Sequence, residues 1–111
     1  MSYTNLVKSF EDYQGRSINL SEESWEHIKE FHKEISLEMI EKTLKDPLEV
    51  RQSSSQYSSL LYYSFCQKSE DKTKFYCVVV KITKLNEFFI KTATTTSALK
   101  KGNTVFKKVE E

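Results

Sequence analysis

Glycine, proline and cysteine are all scarce in this chain. Two Gly and one Pro among 111 residues exclude a collagen-like polymer, a linker-rich chain and a Pro/Gly-biased disordered segment. The longest run of aliphatic or cysteine side chains, Cys77 to Val80, is far short of the roughly 20 residues that a membrane-crossing helix needs. Met1-Ser2-Tyr3-Thr4-Asn5 has no basic stretch followed by an apolar one, so no signal peptide is expected and the cytoplasm is the expected compartment. Two cysteines in such a setting are expected to be reduced core residues. No Cys-x-x-Cys, His-x-x-x-His or carboxylate cluster has metal-ligand spacing, so neither a metal nor another cofactor is expected. What remains is one domain over residues 1–111, large enough to bury roughly 65% of its unfolded surface in a single core.

Charge is abundant but sorted along the chain. Residues 1–50 carry six basic and eleven acidic side chains, residues 51–73 three and two, and residues 74–111 eight and three, for net charges of −5, +1 and +5. The basic excess is entirely lysine: Lys74, Lys81, Lys84, Lys91, Lys100, Lys101, Lys107 and Lys108. Such a dipolar chain can steer an anion to one side; lysine-rich strand edges that resist aggregation account for the same pattern.

Two helices and several strands are legible. A first strand is expected within Tyr3 to Phe10, a turn over Glu11 to Arg16 and a short strand over Ser17 to Leu20. Ser21 then reads as a helix N-cap, with Glu22 and Glu23 in the first turn and Leu20 and Trp25 as a hydrophobic staple. That helix is expected to run to about Lys33. Ser36 repeats the device, with Ile35 and Ile40 as the staple, and Asp46-Pro47 stops the second helix. Beyond Pro47 the period is two. Glu49 to Gln52, Leu60 to Cys66, Lys74 to Thr83 and Phe88 to Thr95 read as strands, with Asn103 to Lys108 as a further edge strand. The Ser/Gln-rich stretch Gln52 to Ser59 and the segments Gln67 to Thr73 and Lys84 to Glu87 read as turns or loops. Val78-Val79-Val80 is apolar on both faces, which places its strand centrally. The expected fold class is α+β: two N-terminal helices packed on a four- to five-stranded antiparallel sheet.

Only two histidines are present, and both fall near the first helix. On that helix Trp25, Ile28, Phe31 and Ile35 define an apolar stripe. His32 projects inside it, and His27 at its border beside Phe31. The two lie about 140° apart, too far for one helix to offer both to one metal. His32 reads as a buried or capping residue or as part of a site; His27 as a boundary residue or a cleft-facing acid or base.

These pieces resemble a known family. Trp25-Glu26-His27-Ile28, His32 with Glu34-Ile35, Leu44-Lys45-Asp46-Pro47 with Val50, Val78-Val79-Val80-Lys81, Ile90-Lys91-Thr92-Ala93 with Thr96, and Lys100-Lys101-Gly102 together resemble the phage-associated branch of the barnase, EndoU, colicin and RelE nuclease group (PBECR-type). The likeness runs over about residues 15–106. It implies a barnase/RelE-like α+β domain in phage-related or toxin-like settings, with helices ahead of the sheet, and a metal-independent ribonuclease activity. By position it assigns His27, Lys81, Thr92 and Thr96 to catalysis, with His32 either there or in folding. The chain departs from the family pattern at Lys33, where Pro is usual, at Glu30 and Phe31, where Arg is common, and at Thr94, where Tyr is usual.

Metal-free RNA cleavage makes the 2′-hydroxyl attack the adjacent phosphorus, which needs a base, an acid and a cation for the phosphoryl oxygens. A histidine can serve as base or acid, Lys81 as clamp, and Thr92 or Thr96 as hydrogen-bond donors. Period-two counting puts Lys81 with Cys77 and Val79, and Thr92 and Thr96 with Phe88 and Ile90. Arg51, Lys91, Lys100 and Lys101 are candidates to bind phosphate. Tyr62 and Tyr63 alternate faces, so that one can pack in the core and the other, taken as Tyr63, can stack on a base. The expected partners are RNA and an antitoxin or immunity-type protein, with no membrane and no DNA. Two other readings stay open: a catalytically inactive RNA- or protein-binding module of the same fold, and a regulatory partner whose acidic helices dock a basic protein.

Overall fold

Strands lie on both sides of the helical segment in the computed structural model, which describes residues 5–53, 58–68, 73–99 and 102–108. The elements are β1 (Leu6–Glu11), β2 (Ser17–Ser21), α1 (Glu22–Phe31), α2 (Leu37–Lys45), β3 (Glu49–Ser53), β4 (Ser59–Lys68), β5 (Thr73–Ile82), β6 (Phe88–Thr96) and β7 (Gly102–Lys107). All seven strands join one sheet in the order β1-β2-β6-β5-β4-β3-β7, with β5 at its centre. Every pairing is antiparallel except the short parallel contact of β2 with β6, Ile18↔Phe88 and Asn19↔Phe89.

This corrects the expected fold. The sheet has seven strands rather than four or five and is mixed rather than antiparallel, and the helices follow a β-hairpin instead of opening the chain. The individual strands lie within a few residues of where the period-two segments put them: β3, β4 and β5 extend into the ends of the expected Gln52 to Ser59 and Gln67 to Thr73 loops, and the rest of those loops, 54–57 and 69–72, lies outside the described residues apart from Ser58. What local pattern does not carry is which edge the N-terminal hairpin joins. That depends on a pairing between residues some 70 positions apart, Ile18 and Phe88.

Local chemistry sets the helix ends. The Ser21 hydroxyl accepts from the Ser24 amide and the Ser36 hydroxyl from the Met39 amide, each filling one of the orphan donors of a first turn. α1 stops at Phe31, two residues short of the expected Lys33, because His32 leaves helical geometry as the C-cap while its amide still reaches the Ile28 carbonyl. Phe31, expected on the buried stripe, is 63% exposed. The helix ends there and only Ile28 of α1 is buried. Asp46 caps α2 in non-helical geometry directly before Pro47. The β5–β6 turn is closed by Thr83, whose hydroxyl accepts from Leu85 and Glu87 amides, with Asn86 at φ 59°.

The strand period divides the interior in two. Leu60, Tyr62, Val78, Val80, Ile90 and Ala93 turn to the helices and meet Ile28, Ile40 and Leu44 in the main core. On the other face Leu61, Tyr63 and Cys77 form a smaller cluster covered in part by Leu99. Cys66 and Cys77 do not bridge; the neighbouring Cys66 thiol, and then burial, hold the Tyr76 phenol above its usual range. Among the described residues no helix is long and apolar enough to cross a membrane.

One buried polar knot ties the N-terminal hairpin to the sheet. Asp12, only 3% exposed, sits in the β1–β2 turn. One of its oxygens accepts from the Gln14 and Arg16 amides at 3.0 and 2.9 Å. The other accepts from Arg16 Nε and from the Tyr62 hydroxyl, both at 2.8 Å. Tyr13 beside it stacks on Phe106 of β7 at 4.4 Å and donates its amide to the Leu44 carbonyl at the end of α2. Burial, then the bond to Asp12, raise the Tyr62 phenol above its usual pKa. The folded state therefore keeps Tyr62 neutral where the unfolded chain would ionise it. This contribution is whole below about pH 10 and is lost progressively as pH rises beyond. Asp12→Ala is expected to cost about 3 kcal/mol or more, because it strands a guanidinium and a buried phenol. Tyr62→Phe is expected to cost about 1–3 kcal/mol and to blunt the alkaline loss. Urea unfolding of the three proteins at neutral pH and above pH 10 measures both effects.

Candidate active site on the sheet face away from the helices

The helices occupy one face of the sheet, so side chains of opposite phase are the ones left for chemistry. Cross-strand partners order them in rows. Ser59, Lys81 and Phe89 form one row; Arg51, Leu61, Val79 and Thr92 the next; Glu49, Tyr63, Cys77 and Thr94 a third; Phe65, Phe75 and Thr96 a fourth.

At the β3–β7 flank three polar side chains meet. Glu49 is buried, and its Oε2 accepts from Arg51 Nε and, at 3.2 Å, from the Thr104 hydroxyl. Both bonds land on Oε2, and Oε1 takes neither. Glu49 and Arg51 are two apart on β3 and so share a face, while Thr104 stands opposite Arg51 on β7. That approach depends on Gly102: a Cβ there would lie 2.3 Å from the Gln52 carbonyl oxygen. A carboxylate with one oxygen held by a guanidinium has the other available to take a proton, and the guanidinium matches a phosphoryl group. Sequence reading passed over Glu49, because an acidic residue opening a strand has no distinguishing local signal. Only its burial and its two donors mark it.

A second polar patch lies across the sheet. Lys81 and Lys91 are exposed and, with Ser58 and Ser59, line an open cavity of about 430 Å³. β6 carries a bulge here. Val79 pairs with Thr92 and Val80 with Ile90, leaving Lys91 as the extra residue. The bulge reverses the phase of the strand, so Thr92 and Thr96 stand with Val79 and Phe75, not with Phe88 and Ile90 as counting by two expects. Thr92 Oγ1 is buried and is, among the described residues, the one buried side-chain polar atom without a hydrogen-bond partner. Thr96 is occupied locally, donating to the Ala98 carbonyl at 2.9 Å. Leu61 and Val79 stand between Arg51 and Thr92 in their row, which puts those two three strand spacings or about 14 Å apart along the sheet.

The other sequence-derived candidates fall elsewhere. His27 is exposed on α1, its ring 4.9 Å from Phe31 and 6.0 Å from His32. His32 is the half-buried α1 C-cap, and its carbonyl accepts from Ile35. Both imidazoles belong to the helical layer, and the structure does not bring them to Lys81, Thr92 or Thr96. Tyr63 is on the face away from the helices but is 0% exposed, so its ring has no surface for a base. Lys100 and Lys101 lie outside the described residues. No group of three or more His, Cys, Asp or Glu placed to hold a metal ion occurs among the described residues.

Comparison with known families matches residues 3–109 to the family described as phage-Barnase-EndoU-ColicinE5/D-RelE like nuclease2. No curated protein and no solved structure matches the chain. A match over nearly all of the 111 residues leaves a plain conclusion: the chain belongs to this phage-associated family of barnase-, EndoU-, colicin- and RelE-like nucleases.

Proposed function

We propose that this protein cleaves RNA without a metal ion, on the sheet face that carries Glu49. In this reading Glu49 Oε1 takes the proton of the ribose 2′-hydroxyl, whose oxygen attacks the adjacent phosphorus. The bond from phosphorus to the 5′-oxygen breaks, that oxygen leaves with a proton from water, and a 2′,3′-cyclic phosphate remains. Arg51 balances the charge that grows on the phosphoryl oxygens, and Thr104 holds Glu49 in place. Lys81 and Lys91, with Thr92 beside them, bind the strand away from the cut. The observation that carries the reading is a buried carboxylate held by a guanidinium and a hydroxyl, in a chain of a nuclease family. An internal 2′-hydroxyl nucleophile suits a site built from these groups, and it favours RNA over DNA as substrate. An antitoxin or immunity-type protein that covers this face is the partner class the reading implies.

A binding module that has kept the fold without the chemistry is the second reading. It is favoured by the place of both histidines on the helical layer and by the engagement of Arg51 with Glu49.

Single-stranded RNA incubated with the protein in EDTA separates the two. Cleavage is expected in wild type, with a loss of about 100-fold or more in Glu49→Gln and in Arg51→Ala. His27→Ala is expected to stay within about twofold of wild type, and DNA of the same sequence to remain intact. RNA left whole by wild type, or cleavage that survives Glu49→Gln and vanishes in His27→Ala, would overturn the assignment. Removing Lys81 or Lys91 is expected to flatten the dependence of log affinity on log salt by about 0.7 for each phosphate that is no longer neutralised. An unchanged slope in the double variant would remove the lysines from the binding path.

A further inference from the structure

The cleavage chemistry leaves both histidines unused. On a helical wheel they lie about 140° apart, yet the structure brings their rings together. α1 ends at Phe31, and His32, its C-cap, has left helical geometry at φ −136° and ψ 65°. The ring centre of His32 stands 6.0 Å from that of His27, with the planes at 62°. The wheel fails because it assumes a helix that continues through residue 32.

That spacing has a chemical meaning. A metal ion about 2.0–2.1 Å from an imidazole nitrogen stands about 3 Å from the ring centre, so two rings that share one ion have centres about 5–6 Å apart. Neither ring is committed elsewhere: among the described residues no hydrogen bond or ion pair engages either imidazole. Phe31, 63% exposed, packs its ring 4.9 Å from that of His27 and so narrows where that imidazole can point. The surroundings favour a cation. The pair sits at the C-terminal end of α1, the negative end of the helix dipole. α1 carries Glu22, Glu23, Glu26 and Glu30 against Lys29 alone, and Lys29 is paired with Glu26 at 2.9 Å. Lys33 is the one further ammonium, beyond the helix end.

From this geometry we infer that His27 and His32 form a two-imidazole site for a divalent late transition metal, with water in the remaining positions. Ions of the nickel, copper and zinc class take imidazole nitrogen, whereas magnesium and calcium take oxygen. The ion ties the body of α1 to the residue that caps it and so stabilises the turn that leads to α2. It takes no part in cleavage, which is proposed at Glu49 on the opposite face of the sheet and without a metal. The inference does not rest on that reading and is read out by binding and stability alone.

The probe is Ni²⁺ alone, added to the whole chain after metals have been stripped from it, with Mg²⁺ as the control. Wild type is expected to bind Ni²⁺ with paramagnetic broadening of amide signals centred on residues 27–32, and to rise in Tm as the ion is added. Mg²⁺ is expected to do neither. His27→Gln is expected to weaken Ni²⁺ binding at least about tenfold and to remove the rise in Tm. His27 is exposed, so this variant keeps its fold, which circular dichroism without metal checks. His32→Asn is expected to show the same loss of binding. Equal affinity for Ni²⁺ in wild type and either variant, or broadening centred on Cys66 and Cys77 instead, would overturn the inference.

Discussion

The two-residue period of the central strands is the constraint on which the molecule depends. On β4 and β5 both phases are apolar, and the helices take only one of them. Once Leu60, Tyr62, Val78 and Val80 are committed beneath α1 and α2, a slip of one residue would carry that whole set to the wrong side. The register is therefore firm, and firmness on one face fixes the geometry of the other. Glu49, Arg51, Lys81 and Phe65 hold their places because their neighbours in sequence are buried against the helices.

Within that frame a few local devices place the polar groups. The bulge at Lys91 changes the phase of β6 once, which brings Thr92, Thr94 and Thr96 to the face away from the helices while Ile90 and Ala93 stay in the main core. Gly102 lets β7 approach β3 closely enough to bring Thr104 to Glu49. The Asp12 knot clamps the N-terminal hairpin against β4 and β7, so that the turn closes the far end of the main core. The Thr43–Ser64 hydroxyl pair at 2.7 Å and the Lys108–Asp46 ion pair join α2 to β4 and to the end of β7. The elements that carry the Glu49 cluster are thus braced from the helical side.

How much of this was legible in the sequence follows the range of each interaction. Helix caps at Ser21 and Ser36 and the stop at Asp46-Pro47 are decided within a few residues, and the sequence reading places them correctly. The central position of Val78-Val79-Val80 was also legible, because a strand apolar on both faces can only be interior. The attachment of β2 to β6 and of β7 to β3 was not, since sheet neighbours distant in sequence leave no local trace. The threonine row was assigned the wrong phase because a single inserted residue in one strand is invisible to counting by two. Histidines attract attention for their pKa, which drew the reading towards His27 and His32 on the helical layer. Glu49 carries no such flag: its setting is created by Arg51 from its own strand and Thr104 from a strand 55 residues on.

The central claim is that ligand and chemistry meet on the sheet face opposite the helices. The most direct measurement is an NMR titration of the protein with a short single-stranded RNA made uncleavable by 2′-deoxy sugars, following side-chain and amide shifts residue by residue. The account predicts that the largest changes cluster on Glu49, Arg51 and Thr104, extend to Lys81 and Lys91, and spare α1. Shifts concentrated around His27, Phe31 and His32, with the Glu49 cluster silent, would contradict it.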